Sequence, residues 1–178
     1  METCIAKALN KQIVIELDAA YLYLQMAEWL EQNDLSGFGN WLRKQAHEEV
    51  GHAMLLFNFL KDRDAVVALG SVRRQKYFFA SVKDVMDKLL AQGKYVASNV
   101  RKILELAQSS EDAKASVLLA WLAAVQLEEE ELVTNVLVRV NNCYRSAIDT
   151  LQEIDSELAK RQDTIPTLLK AQRKHGVA

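Results

Sequence analysis

An E-x-x-H pair, Glu49 and His52, stands inside the apolar helical run QAHEEVGHAMLLF, which covers residues 45–57. Residues three or four apart lie on the same face of an α-helix, so this carboxylate and this imidazole point in one direction. Ala53 and Leu56 share that face, and the pattern therefore predicts that the face is buried. Because a buried charge is costly unless it is paired or binds a metal, the pair is a candidate set of metal ligands.

Two further segments place metal-competent side chains on apolar helical faces. Glu16 lies in the run QIVIELDAAY, and the run VQLEEEELV puts Gln126 and Glu129 on one face. Carboxylate and imidazole ligands suit iron, and di-iron helix bundles draw glutamates and E-x-x-H pairs from separate helices. A lone glutamate usually faces solvent and a single E-x-x-H pair is frequent by chance, so the hypothesis depends on the combination.

The composition is typical of a globular protein rich in helices. The chain has 178 residues, of which 50% are hydrophobic and 26% charged, and its net charge of −2 gives no basic excess that would suggest nucleic acid. Helix breakers are scarce, with six glycines and one proline. Cys4 and Cys143 match no zinc or redox spacing, which favours an intracellular, reducing location. We expect no signal peptide, because the start METCI lacks a basic region followed by an apolar run, and no membrane span, since no apolar stretch approaches 18 residues.

Apolar residues recur at helical spacing over four long segments, residues 5–32, 37–60, 81–108 and 112–140. Ser36 and Ser81 are the predicted N-caps of the second and third helices, and Asn141–Asn142 is predicted to close the fourth. The interval 61–80 is long enough to cross the length of the bundle, and a shorter fifth helix is expected over residues 145–160. These elements predict an all-α, ferritin-like four-helix bundle with one long crossover between helices two and three.

Three stretches together resemble the non-haem bacterial ferritins, and they are LNKQIVIELDAAYLYLQMAEW (9–29), LRKQAHEEVGHAMLLFNFL (42–60) and WLAAVQLEEEELV (121–133). The resemblance extends over residues 5–161, so we expect one bundle domain over residues 1–161 and a polar tail over 162–178. It implies a cytoplasmic homo-oligomeric shell of twenty-four subunits that oxidises Fe²⁺ with O₂ and stores ferric mineral. No haem, nucleic acid or membrane partner is expected.

The resemblance also assigns residues to the iron site. The side chains expected to bind the two irons are Glu16, Glu49, His52, Gln126 and Glu129. Tyr23 falls on a tyrosine beside the irons, and its expected role is catalytic. The outer carboxylates that hold a third iron in such ferritins fall on Glu48 and Glu128.

One departure from the family pattern concerns helix three. Such ferritins place there a glutamate that binds the second iron, and aligning VASNVRKILELA (96–107) puts Val96 at that position. Val125 likewise replaces the third acid of the outer site. Fewer anionic ligands bind Fe²⁺ more weakly, so restoring the acid by Val96→Glu is expected to speed iron oxidation.

Three alternative functions stay open at this point. The chain could be a shell subunit whose ferroxidase activity is impaired or lost and which acts mainly in assembly and mineral nucleation. A different di-metal enzyme would usually need a second E-x-x-H pair, which Gln126 and Glu129 do not supply. A helical interaction protein would bind no metal at all.

Overall fold

The computed structural model of the protein describes residues 1–72, 78–144 and 150–160. Within these ranges the chain forms five helices and no strand, and the helices are α1 (Thr3–Glu31), α2 (Ser36–Asp62), α3 (Val82–Ser109), α4 (Ala113–Cys143) and α5 (Leu151–Ala159). The predicted four-helix bundle with a long α2–α3 crossover and a short fifth helix is confirmed. The start of the fifth helix predicted at residue 145 and the tail predicted over 162–178 lie outside the described residues.

Two N-terminal caps fix where α3 and α4 begin. The Ser81 hydroxyl accepts a 3.1 Å hydrogen bond from the Asp84 amide, which confirms the predicted cap of α3. Asp112 caps α4 by accepting a 3.1 Å bond from the Ala115 amide. The same carboxylate accepts two bonds of 3.0 and 2.9 Å from Arg63, and this bidentate pair ties the end of α2 to the start of α4.

Two predicted helix ends are wrong. Ser36 is the first helical residue of α2, and Leu35 occupies the N-cap position without a side-chain hydrogen bond. Leu35 is buried and its amide donates a 3.0 Å bond to the Leu30 carbonyl, so packing closes this turn where a hydroxyl cap was expected. Residues 141–142 continue α4 to Cys143, because this last turn packs on the apolar core.

Apolar side chains form two core clusters at opposite ends of the bundle. One includes Leu30, Phe38 and Met86, and the other includes Leu9 and Leu119. Between the clusters lies a layer of buried polar residues, which are Glu16, Glu49, His52 and Gln126. No helix in the described ranges is both long and apolar enough to cross a bilayer. Because burial of polar groups is costly unless they are paired or bind a ligand, this layer is the candidate functional centre.

α5 docks against the first turn of α2 at Gly37. A Cβ added there would lie 1.9 Å from the Asp155 carbonyl oxygen, and the Phe38 amide donates a 2.8 Å hydrogen bond to the Asp155 carboxylate. We expect Gly37→Ala to lower the free energy of unfolding by about 1–3 kcal/mol, because backbone must move aside. Denaturant titration measures this change.

A matched control for that substitution is Gly93→Ala in α3. A Cβ at Gly93 meets no atom within 4 Å, so the free energy of unfolding is expected to rise by about 0.5–1 kcal/mol through better helix propensity. Equal stabilities of Gly37→Ala and wild type would contradict the close docking of α5.

Candidate metal centre

Glu16, Glu49 and His52 each bring one ligand atom to within 4.8 Å of the others in the middle of the bundle. The three residues are 0, 3 and 0% exposed. α1 supplies the first and α2 supplies both members of the predicted E-x-x-H pair, with His52 Nδ1 lying 3.2 Å from Glu49 Oε2. Two carboxylates and an imidazole at this spacing can bind one divalent cation such as Fe²⁺.

α4 contributes a third wall to this centre. Gln126 is buried, and its Nε2 lies 3.4 Å from Glu49 Oε2 and 3.5 Å from His52 Nδ1. Glu129 is half-buried and lines the same cavity as Glu49 and Gln126. The structure therefore brings Glu16, Glu49, His52 and Gln126 into one cluster and places Glu129 on the adjoining cavity.

The electrostatics of the centre favour a bound cation. Burial raises the pKa of Glu49 from 4.5 to about 7. Burial, and then the charge of Glu49, raises the pKa values of Glu16 and Glu129 well above the ordinary value of a glutamate. A divalent cation among these groups favours their charged forms and so lowers those pKa values again.

Among the predicted ligands, Glu16 Oε2 and His52 Nε2 are buried atoms without a hydrogen-bond partner among the described residues. An unsatisfied carboxylate oxygen inside a cluster of ligands is suited to bind a metal, so the donor set fits Fe²⁺. The Trp121 ring lies edge-on to the His52 ring at a centroid distance of 6.4 Å. This contact positions the imidazole, and it makes the indole a fluorescent reporter of the site.

Gln12 is a residue of the site that sequence reasoning missed. It is fully buried one turn before Glu16, and its Nε2 donates a 2.8 Å hydrogen bond to Glu16 Oε1. This bond orients the carboxylate and leaves its second oxygen available to a metal. The signal in the sequence was the spacing of four residues, which puts Gln12 on the buried face of α1.

We expect Gln12→Leu to weaken binding of a divalent cation by about tenfold, because a ligand loses its orienting donor. Equilibrium titration with Co²⁺, followed by quenching of tryptophan fluorescence, measures the dissociation constant. Gln25→Leu, at a half-buried position farther along α1, is the matched control and should leave the constant unchanged. An unaltered constant in Gln12→Leu would argue against this orienting role.

The other predicted residues surround the centre at different depths. Tyr23 is buried and lines the cavity with Glu49, and burial raises the pKa of its phenol well above 10, so the hydroxyl stays protonated. Glu48 is half-buried and its carboxylate accepts a hydrogen bond from the side-chain Nε2 of Gln45. Glu128 is exposed and is not among the residues that line the cavity.

α3 contributes no ligand atom to this centre. Val96 is fully buried in an apolar cluster, whereas the α3 residues that line the cavity are Leu89, Leu90 and Gly93. Gly93 lies one turn before Val96, and neither residue offers a donor to a metal. The α3 position from which a side chain would enter the cavity is therefore Gly93, one turn from the position predicted by alignment.

A four-helix bundle with one long crossover and a central carboxylate–histidine site defines the ferritin-like class of proteins. Residues 6–143 match the ferritin family, described as a ferritin-like domain, and this chain belongs to that family. The resemblance found in the sequence is confirmed.

The chain is similar to particular ferritins over most of its length. It is 32% identical over 136 residues to a bacterial non-heme ferritin of Campylobacter jejuni, covering 76% of this chain and 81% of the relative. It is 30% identical over 158 residues to one of Staphylococcus epidermidis, covering 86% and 92%. Among solved structures, an open-pore ferritin of Archaeoglobus fulgidus superposes with a TM-score of 0.85 at 30% identity, covering 91% of this chain and 98% of the other.

Proposed function

We propose that this protein is an iron-storage ferritin that binds Fe²⁺ in the buried centre, oxidises it with O₂ and retains the ferric product as mineral. The observation that carries the proposal is the convergence of Glu16, Glu49 and His52 within 4.8 Å in the bundle core. Family membership and the similarity to non-heme ferritins support it. The proposed working form is a cytoplasmic homo-oligomeric shell of twenty-four subunits.

The first Fe²⁺ binds Glu16, Glu49 and His52, with the Gln126 amide facing the same ligands. Glu49 bridges to a second position, where Glu129 supplies the other carboxylate. Anionic oxygen ligands favour the higher charge of Fe³⁺, and two irons about 3.5–4 Å apart can together deliver two electrons to O₂.

Tyr23 has a separate role in the proposed reaction. Its phenol is buried and protonated beside the second position, where it can donate a hydrogen bond or an electron. The half-buried Glu48, whose charge contributes to the raised pKa of Glu49, is proposed as a supplementary oxygen ligand.

The two proposed iron positions differ in how strongly they bind Fe²⁺. The first has two carboxylates and an imidazole, whereas the second shares Glu49 and lacks any ligand from α3, where Gly93 and Val96 stand. We therefore propose that oxidation is slower than in a ferritin with a carboxylate on this helix. The same gap favours the second candidate function, a shell subunit that acts mainly in assembly and mineral nucleation.

Oxidation of Fe²⁺ by the purified protein tests the proposed activity. Wild type should oxidise Fe²⁺ faster than Glu49→Ala, which should fall to the rate of buffer alone, while the exposed Glu131→Ala control should match wild type. Indistinguishable rates in wild type and Glu49→Ala would instead favour the assembly subunit. Metal analysis after anaerobic Fe²⁺ loading excludes iron binding altogether if no iron is retained.

A further inference from the structure

The cavity beside the metal centre reaches the surface between α3 and α4. Its deep wall includes the buried Glu49 and Gln126, which contact the centre directly. Its half-buried residues are Leu90, Gly93, Glu129 and Glu130, all of them on α3 or α4. Because exposure rises only along these two helices, the mouth of the cavity lies between them.

Gly93 keeps this mouth open. A Cβ added at Gly93 would meet no atom within 4 Å, so space continues outward from the residue. A glycine inside a helix costs roughly 0.5–1 kcal/mol relative to alanine. The open space at the middle of α3 thus comes with a loss of helix stability.

Three carboxylates line the cavity, two of them half-buried near its mouth and one buried at the centre. The Glu130 side chain is 23% exposed, Glu129 is half-buried and Glu49 is 3% exposed. At the mouth, Glu130 faces Lys94 with an N–O distance of 3.9 Å, and the lysine side chain is 57% exposed. So long and exposed an ion pair is weak, and a divalent cation can displace the lysine.

We infer that divalent cations reach the buried centre directly through this opening, with Glu130 as the outer docking carboxylate. The cation exchanges with Lys94 at Glu130, passes Gly93 and is transferred through Glu129 to Glu49. This inference rests on the proposed function, because it supplies the path by which Fe²⁺ arrives at the proposed site.

The test follows the arrival of Co²⁺ in the intact protein by stopped-flow fluorescence, without O₂. Trp121, beside His52, supplies the signal, and Trp121→Phe should remove most of the quenching. Gly93→Leu should slow quenching by roughly tenfold or more, because the leucine side chain fills the opening. Co²⁺ can then pass only when slower motions of packed side chains open it. The final amplitude of quenching in this variant should stay at the wild-type value. Ala91→Leu, at an exposed α3 position, is the matched control and should behave as wild type.

A second pair of variants tests the docking carboxylate without changing the volume of the opening. Glu130→Gln should slow quenching by about threefold at low ionic strength, and this difference should shrink in salt because steering by charge is screened. Glu131→Gln, whose side chain is exposed, should be neutral. If Gly93→Leu does not fold, the comparison of Glu130→Gln with Glu131→Gln still tests the proposed path.

The outcomes separate the path from the function. Equal quenching rates in wild type, Gly93→Leu and Glu130→Gln, with normal final amplitudes, would overturn the path and leave the proposed function standing. If wild type shows no more quenching than Glu49→Ala, both the binding site and the path are wrong. Slower arrival in Gly93→Leu and Glu130→Gln, with the controls unaffected, supports the path.

Discussion

Metal-free Glu49→Gln protein is expected to be more stable than wild type at pH 8 by about 3 kcal/mol, while losing the first metal site. Burial raises the pKa of Glu49 from 4.5 to about 7, and a tenfold change in a protonation equilibrium corresponds to about 1.4 kcal/mol. Glutamine keeps the shape of the side chain and removes its buried charge. The same charge that destabilises the empty bundle is the one that binds the cation.

The raised pKa of Glu49 also predicts how the stability difference between wild type and Glu49→Gln changes with pH. Between pH 4.5 and about 7 the native state holds a proton on Glu49 that the unfolded chain has released, so native stability falls as pH rises through this window. The advantage of Glu49→Gln should therefore be small at pH 4.5 and full at pH 8. Urea titrations at several pH values measure it, with the exposed Glu131→Gln as control. Parallel curves for wild type and Glu49→Gln would contradict the prediction.

Gly93→Glu is expected to convert a centre with one strong and one weak position into one that holds two cations tightly. The new carboxylate would enter the cavity lined by Glu49 and Glu129, and its Cβ meets no atom within 4 Å. Anaerobic equilibrium dialysis against Co²⁺ should show the tightly bound ions rising from one to two per subunit. Fe²⁺ oxidation should accelerate with them, because both electrons then leave from occupied sites.

Val96→Glu is the informative comparison for this variant. Val96 is fully buried in an apolar cluster, so a glutamate there costs roughly several kcal/mol of stability unless it reaches a metal. We therefore expect the second tight ion in Gly93→Glu and a loss of stability in Val96→Glu. If Val96→Glu gained a second tightly bound ion and Gly93→Glu did not, the α3 ligand position would be residue 96, as the sequence alignment predicts.

The sequence was sufficient for the bundle and for the middle of its site. Helical periodicity with few breakers predicts four long helices, and the E-x-x-H spacing alone places Glu49 and His52 on one face. Ser36 failed as a cap because burial of Leu35 closes the turn, and that burial depends on tertiary contacts. A cap can be inferred from residue type only where packing does not decide the geometry.

The sequence could not predict which α3 residue borders the cavity, for a different reason. Gly93 and Val96 lie three residues apart on one helical face, so periodicity assigns both to the interior and cannot rank them. Only the packed helices show which of the two borders the cavity. Gln12 escaped notice because a glutamine is most often at the surface, although its spacing of four residues from Glu16 places both on one face of α1.

The polar layer between the two apolar clusters couples the stability of the bundle to the binding of a cation. Without a bound cation, the buried acids between the two apolar clusters repel one another and lower the stability of the bundle. A bound dication turns that repulsion into attraction and adds its binding free energy to folding. We therefore expect metal-loaded subunits to resist proteolysis longer than metal-free ones, so that the lifetime of the protein would follow the supply of metal.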